Sequence, residues 1–474
     1  MIRPDCEDYM TTVSDPFQLD RHRERNTDEA AIQAVRSRMA ESGVEFVYYQ
    51  TVTVTGRVIG KVVPADHLER IVENGVRLHR TGLADLQTSR HGVLLGGGCG
   101  AAEFTAMPDL DTFAVLPWDT RTGRFFCRLY EPAHLGDGIG GRPLAIDARG
   151  NLRQVHEAFT ERTGLEVRSG CEPELSWSGP GLDPRARPHT STAYHVDHLE
   201  RYRPIYQKVI AYGQALGLDM VEGDYEDPGQ LELNWMFDRA DRTADRLVVH
   251  RQICRQVARE LGVTVGFMPK PADDRKGNGC HHNLSLWRGE HNVLEEGESR
   301  ELRLTDIARH AIGGILEHAP GMTAVMGPTV NSYKRYRHAG QFAPTHADWG
   351  MDNKTCSVRV PANGRLEFKL PDAMVNPYLS HAVLIAAIED GITRGIDPGP
   401  AQEEDGHAEA ASSAEGLPST LGEALERFAA DPVVTGALGP ELADLFQVLK
   451  ADEWARFCGS VTDWEREMYG REGC

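Results

Sequence analysis

No run of about 18 apolar residues occurs in the 474-residue chain, so no stretch of it reads as a helix that crosses a bilayer. The opening residues, Met1 to Glu24, are charged and lack the apolar centre of a signal peptide. Basic residues are few beside acidic ones, 51 Lys and Arg against 71 Asp and Glu. The resulting net charge of -20 repels phosphate backbones and anionic membranes and suits a protein that concentrates cations. Nucleic acid and membranes are therefore excluded as partners, and a cytoplasmic location is expected. The nine cysteines are scattered, odd in number and never in C-x-x-C spacing, which argues against both a disulfide framework and a zinc knuckle. No internal repeat is present.

What is there is enough chain, 40% of it hydrophobic, for at least two packed domains. Residues 1–28 are polar and aperiodic and read as a loose leader. Phe46 to Val54 and Arg57 to Val63 read as a hairpin about Thr55-Gly56. Short strands at 93–98, 113–117 and 125–131 extend it into a small mixed sheet, giving a first domain over 29–140. Over 141–474 helical and strand patterns alternate: helices are expected at 152–163, 198–216, 242–261 and 451–469, and a strand in the LEVRSGCEPELSW stretch. Asp397 to Gly416 is acidic, Ala/Ser/Gly-rich and aperiodic, and is expected to be a solvated loop.

Several side chains could do chemistry. Glu172 and Glu174 stand two apart in a strand-like segment, on one face, and adjacent carboxylates repel unless a cation neutralises them. Glu226 and Glu232 flank the turn-forming Pro228-Gly229. His281, Asn283 and Ser285 alternate after a glycine-flanked loop, so they would share a strand face. Taken singly, E-x-E is usually a solvated strand face and a lone His a satisfied core residue; convergence is what makes a metal site of them. Arg335, Arg359, Arg365 and Lys369 form a cationic set around Glu367, suited to phosphate and carboxylate recognition.

In order and spacing these segments resemble the glutamine synthetase family. The resemblance spans nearly the whole chain, through GRVIGK, GCEPE, PGQLE, MPKP, GNGCHHNLSLW, NSYKR, VRVP, RLEFKLPD, NPYL, LPSTLGEALERF and TDWEREMY. It implies an α+β fold: a β-grasp-like first domain, then a catalytic domain whose antiparallel sheet forms an open barrel. It implies ATP as a substrate and two to three divalent ions, Mg²⁺ or Mn²⁺. Glu174, Glu226 and Glu232 would hold one ion, and Glu172, His281 and Glu367 the second. Counted back from Pro228, this chain is one residue shorter than the family pattern, so Glu226, Tyr225 or Asp224 fills the middle position. Arg335 with Gly277 would hold the substrate α-carboxylate; Arg359 and Arg365 would hold phosphates; Asn283 and Ser285 fall at nucleotide-contacting positions. The resemblance also implies a homo-dodecamer of two stacked hexameric rings, with Thr53 entering a neighbour's pocket.

The chain departs from ammonia-using relatives at informative places. Thr53 stands where they carry an ammonium-attracting aspartate, and Phe342 where a flap glutamate accepts the ammonium proton; Tyr194 is retained. Losing two carboxylates weakens the Coulombic preference for a small cation, and a phenylalanine adds apolar surface. The pattern looks like the γ-glutamylmethylamide synthetase branch, implying glutamate and an organic amine as substrates. Lys354 and Lys369 replace expected arginines, keeping charge but losing the bidentate fork. The alternatives are an ordinary glutamine synthetase and a non-catalytic scaffold of the same superfamily.

Overall fold

The computed structural model describes residues 18–26, 28–136, 138–182, 193–294, 304–337, 342–361, 363–406 and 414–470. The first sheet has six strands: β1 (Phe46–Val52), β2 (Val58–Pro64), β3 (Val76–His79), β4 (Glu103–Pro108), β5 (Ala114–Leu116) and β6 (Asp119–Tyr130). Its order is β2-β1-β6-β4-β3, with β5 on β6, and the β1–β6 pair is parallel. The β1–β2 hairpin pairs Val52 with Val58, and Gly56 takes φ 85° in the turn, a conformation that suits glycine. The expected strand at 93–98 is absent: that stretch is a series of turns in which Gly96, Gly97 and Gly98 all have positive φ. Three glycines in a row let the chain coil where valine and leucine alone would have favoured extension.

The second sheet has ten strands: β7 (Glu166–Ser178), β8 (Met220–Asp227), β9 (Gln230–Trp235), β10 (Asp238–Arg239), β11 (Thr264–Gly266), β12 (Cys280–Arg288), β13 (His291–Asn292), β14 (Trp349–Met351), β15 (Val358–Val360) and β16 (Leu366–Phe368). The main order is β14-β15-β16-β12-β7-β9-β8, antiparallel except for β14–β15. It curls into a nearly closed barrel. The expected helices at 152–163 and 242–261 form as Ala148–Thr163 and Ala240–Leu261; the 198–216 stretch is divided, its main helix being Arg203–Ala215.

Behind the strands lie two long helices, Asp306–Met326 and Pro377–Arg394, whose residues are buried on almost every face. They approach until backbone meets backbone: a Cβ on Gly314 would fall 2.1 Å from the Ala387 carbonyl oxygen, and one on Gly391 2.2 Å from that of His310. Such all-round apolarity is the mark of a core helix rather than a surface one.

Two further expectations change. Within the stretch read as a loose leader, Gln18–Asn26 is a helix, because Leu19, His22 and Asn26 recur on one buried face. The His22 ring bonds Tyr130 Oη at 2.8 Å and the Pro108 carbonyl at 3.1 Å. Residues 1–17 lie outside the described part, as do 407–413 of the acidic loop; residues 397–406 carry neither helix nor strand. The tail is not one helix: Pro440–Cys458 stops at Gly459, and Thr462 with Glu465 caps a new start at Asp463–Tyr469. Among the described residues no helix is long and apolar enough to cross a membrane.

Candidate active site

Strand alternation and register build the site. On β7, Glu172 and Glu174 project to one face while Cys171 and Leu175 are buried on the other. β12 sets His281 opposite Glu172, β9 sets Glu232 opposite Glu174, and β8 sets Asp224 opposite Glu232. β16 sets Glu367 opposite Asn283, and β15 sets Arg359 opposite Glu367. Directly opposed residues on one sheet face lie within reach of one another, so six strands deliver their polar side chains to one place.

His281 is the centre of one half. Its Nδ1 lies 3.2 Å from Glu367 Oε1 and 3.5 Å from Glu172 Oε2, and its Nε2 3.9 Å from Glu174 Oε1. Ligand atoms of Glu172, His281 and Glu367 all fall within 4.8 Å of one another. Carboxylate oxygens with one imidazole suit Mg²⁺ or Mn²⁺. A Cβ on Gly279 would come 2.8 Å from His281 Nε2, so this glycine keeps the ring's place clear.

Charge is unevenly balanced. Burial opposes ionisation of Glu367, but Lys369, His281 and Arg359 outweigh it and hold the carboxyl far below the usual range. Lys369 Nζ donates to Glu367 Oε1 at 3.0 Å and Arg359 to Oε2 at 2.7 Å. The other half is governed by burial and acidic neighbours. Burial, reinforced by Glu172 and Glu174, drives Glu232 well above its ordinary value. Burial and the neighbouring Glu226, Glu222 and Glu174 push Asp224 up to about 7, and its buried Oδ1 has no hydrogen-bond partner among the described residues. Two carboxyls held above their ordinary values by burial and acidic neighbours fit a place where a divalent cation supplies the missing positive charge.

Arg335 is buried beside His281 and donates to the carbonyls of Leu370 at 3.0 Å and Lys369 at 3.1 Å. A Cβ on Gly277 would lie 2.6 Å from Arg335 Cγ, which ties these two residues together. Asn283 donates to Glu172 at 2.8 Å; Ser285 accepts from the Trp287 indole at 2.8 Å. Both line a cavity of about 210 Å³ next to Glu172, walled by Val221, Met236, Phe237, Trp287 and Arg365. Phe237 and Trp287 stack with ring centroids 5.9 Å apart. Motif reading passed over this apolar wall; the N-W-M-F run, with two large exposed side chains at Met236 and Phe237, is its only signal.

A third group lies at the β8 end. Tyr194 holds φ 63°, unusual for an aromatic residue, and its hydroxyl donates to Glu226 Oε1 at 3.2 Å. Lys276 Nζ donates to the Glu226 carbonyl at 3.2 Å and stands 5.9 Å from the centre of the Phe342 ring; Lys354 Nζ stands 5.6 Å from it. Gln341, beside Phe342, lies outside the described residues. Thr53 is not brought to the cluster. It is fully buried in the β1–β2 turn, where its hydroxyl meets Thr55 Oγ1 and accepts from the Arg57 amide, both at 3.1 Å.

A family model described as "Glutamine synthetase, catalytic domain" matches residues 145–469. The chain is 33% identical to the glutamate–methylamine ligase of Methyloversatilis universalis, covering 91% of this chain and 97% of that one. It is 32% identical to a glutamine synthetase of Rhizobium meliloti, covering 90% and 97%. The solved structure described as "GmaS/ADP complex-Conformation 1" superposes with a TM-score of 0.81 at 33% identity, over 94% of this chain and 99% of that one. The chain belongs to the glutamine synthetase family of ATP-dependent ligases.

Proposed function

We propose that the protein joins the γ-carboxylate of glutamate to an organic primary amine, consuming ATP and passing through γ-glutamyl phosphate. The observation that carries this reading is Phe342. At the position of a proton-accepting flap glutamate it presents an apolar ring, with the ammonium groups of Lys276 and Lys354 near it in place of an anion. Such surroundings disfavour ammonium and favour an amine with a carbon body, whose covered apolar area is worth about 0.8 kcal/mol per CH₂. The similarity to a methylamine-using ligase supports the same choice.

In this reading Glu172, His281 and Glu367 hold one divalent cation, and Glu174 and Glu232 with a carboxylate from β8 hold another. Two such ions neutralise nucleotide phosphates and the transferring phosphoryl group. Arg359 and Arg365 bind phosphate oxygens, and Lys354 supplies a point charge at the γ-phosphate. Arg335, kept in place by Gly277, receives the glutamate α-carboxylate, with Lys369 beside it. Asn283 and Ser285 orient the nucleotide, whose base lies against the apolar wall formed by Phe237 and Trp287. Subunits assemble as a homo-dodecamer of two stacked hexameric rings.

The test is competition. With ATP, glutamate and Mg²⁺, ammonium and a panel of primary amines are offered together and products identified by mass spectrometry. A γ-glutamyl amide should predominate; glutamine as the sole product would return the protein to the ordinary synthetases.

A further inference from the structure

Family spacing leaves open which residue of β8 would serve the first cation, and the strand geometry separates the candidates. Tyr225 faces away from the cluster: it is buried in the core, stacked on His198 with centroids 5.4 Å apart and tilted against Tyr202 at 5.4 Å. The β8–β9 register runs regularly through Asp224↔Glu232 and Tyr225↔Leu231, then jumps to Asp227↔Gln230. Glu226 is thus the extra residue of a β-bulge, without a partner across the ladder, and a bulge re-aims the side chain it carries.

The two carboxylates end in different surroundings. Asp224 stands directly across from Glu232, which stands across from Glu174, one row over three strands. The carboxylate of Glu226 instead takes the Tyr194 hydroxyl, and its carbonyl takes Lys276, the lysine that faces Phe342. Tyr194 is anchored to the same strand by its amide, which donates to the Tyr225 carbonyl at 2.8 Å. That bond helps hold a left-handed conformation, which persists in an aromatic residue only where the surroundings impose it.

We propose that the shortened β8–β9 hairpin has exchanged the duties of two carboxylates: Asp224 completes the first cation site with Glu174 and Glu232, while Glu226 is turned to the amine end of the pocket beside Tyr194 and Phe342. The second half rests on the amide-ligase reading; the first does not. The shorter aspartate suits a position directly across the ladder, and the longer glutamate reaches outward from the bulge. The chain thereby regains an anion near the incoming amine that it lacks at Phe342.

The experiment separates the two halves. Mn²⁺ binding to the full-length protein is titrated by electron paramagnetic resonance, without nucleotide, for wild type, Asp224→Asn, Asp224→Glu and Glu226→Gln. Asp224→Asn should weaken the tighter class of Mn²⁺ by at least about tenfold, Asp224→Glu should recover most of the loss, and Glu226→Gln should stay within about twofold of wild type. Steady-state assays should show that Glu226→Gln raises KM for the amine and leaves KM for ATP and glutamate in place. Mn²⁺ loss in Glu226→Gln, or wild-type Mn²⁺ binding in Asp224→Asn, overturns the exchange. If the Mn²⁺ pattern holds but no amine is ever consumed, the cation assignment stands and the amide-ligase reading falls.

Discussion

At the scale of single residues, the proposed site rests on a few side chains. Glu174 and Glu367 would serve different cations, and each is held by its own neighbours: the Gly279 amide at 2.7 Å for one, Lys369 and Arg359 for the other. Glu174→Ala and Glu367→Ala should therefore each cut ATP-dependent turnover by at least about 10³-fold with circular dichroism unchanged. Retained turnover in either would misplace the cations. Phe342→Glu should raise kcat/KM for ammonium relative to amines by about tenfold, since one charge at a partly exposed site is worth roughly 1–2 kcal/mol; an unchanged ratio would remove Phe342 from the account. That the carboxylates, His281 and the arginines come together was legible in the sequence because E-x-E and H-x-N-x-S on strands put polar side chains on one face. Thr53 was legible only as a substitution. Its buried hydroxyl, spent on the Thr55 and Arg57 turn, depends on packing that no spacing reveals.

At the scale of elements, the core helices are joined by a buried polar contact with its own pH dependence. His318, on Asp306–Met326, bonds Asp390 on Pro377–Arg394 at 3.0 Å and Asp431, the cap of the helix Pro432–Leu438, at 2.8 Å. Burial lowers the affinity of His318 for its proton, but the two aspartates outweigh it and raise the pKa above 6.5. A histidine whose folded value is raised contributes fully below its unfolded value and loses that contribution as pH climbs through the folded one. His318→Gln should cost about 3 kcal/mol in urea unfolding at pH 6, with the difference from wild type shrinking above pH 6.5. A difference independent of pH would mean that the imidazole is neutral in the fold. Elements of strong period, such as β7 and Ala240–Leu261, were legible; the 93–98 strand and the single tail helix were not. Glycine runs and a cap near residue 460 overrode the apolar pattern there.

At the scale of the whole molecule, joint spacing of many short motifs carried the family and the barrel. The helix Gln18–Asn26 escaped notice because its buried face is partly polar, built from His22 and Asn26. The proposed dodecamer predicts a mass near twelve chains by light scattering at assay concentration; a fully active monomer would refute it. The central claim, that this chain of the glutamine synthetase family makes γ-glutamyl amides, is tested most directly by specificity constants. Phosphate release is followed at saturating ATP and glutamate, with ammonium and each of a broad set of primary amines varied separately. At least one amine should show a kcat/KM well above that of ammonium, with the matching γ-glutamyl amide formed in step with phosphate. If ammonium instead exceeds every amine, the protein is an ordinary glutamine synthetase and the role given to Phe342 is wrong.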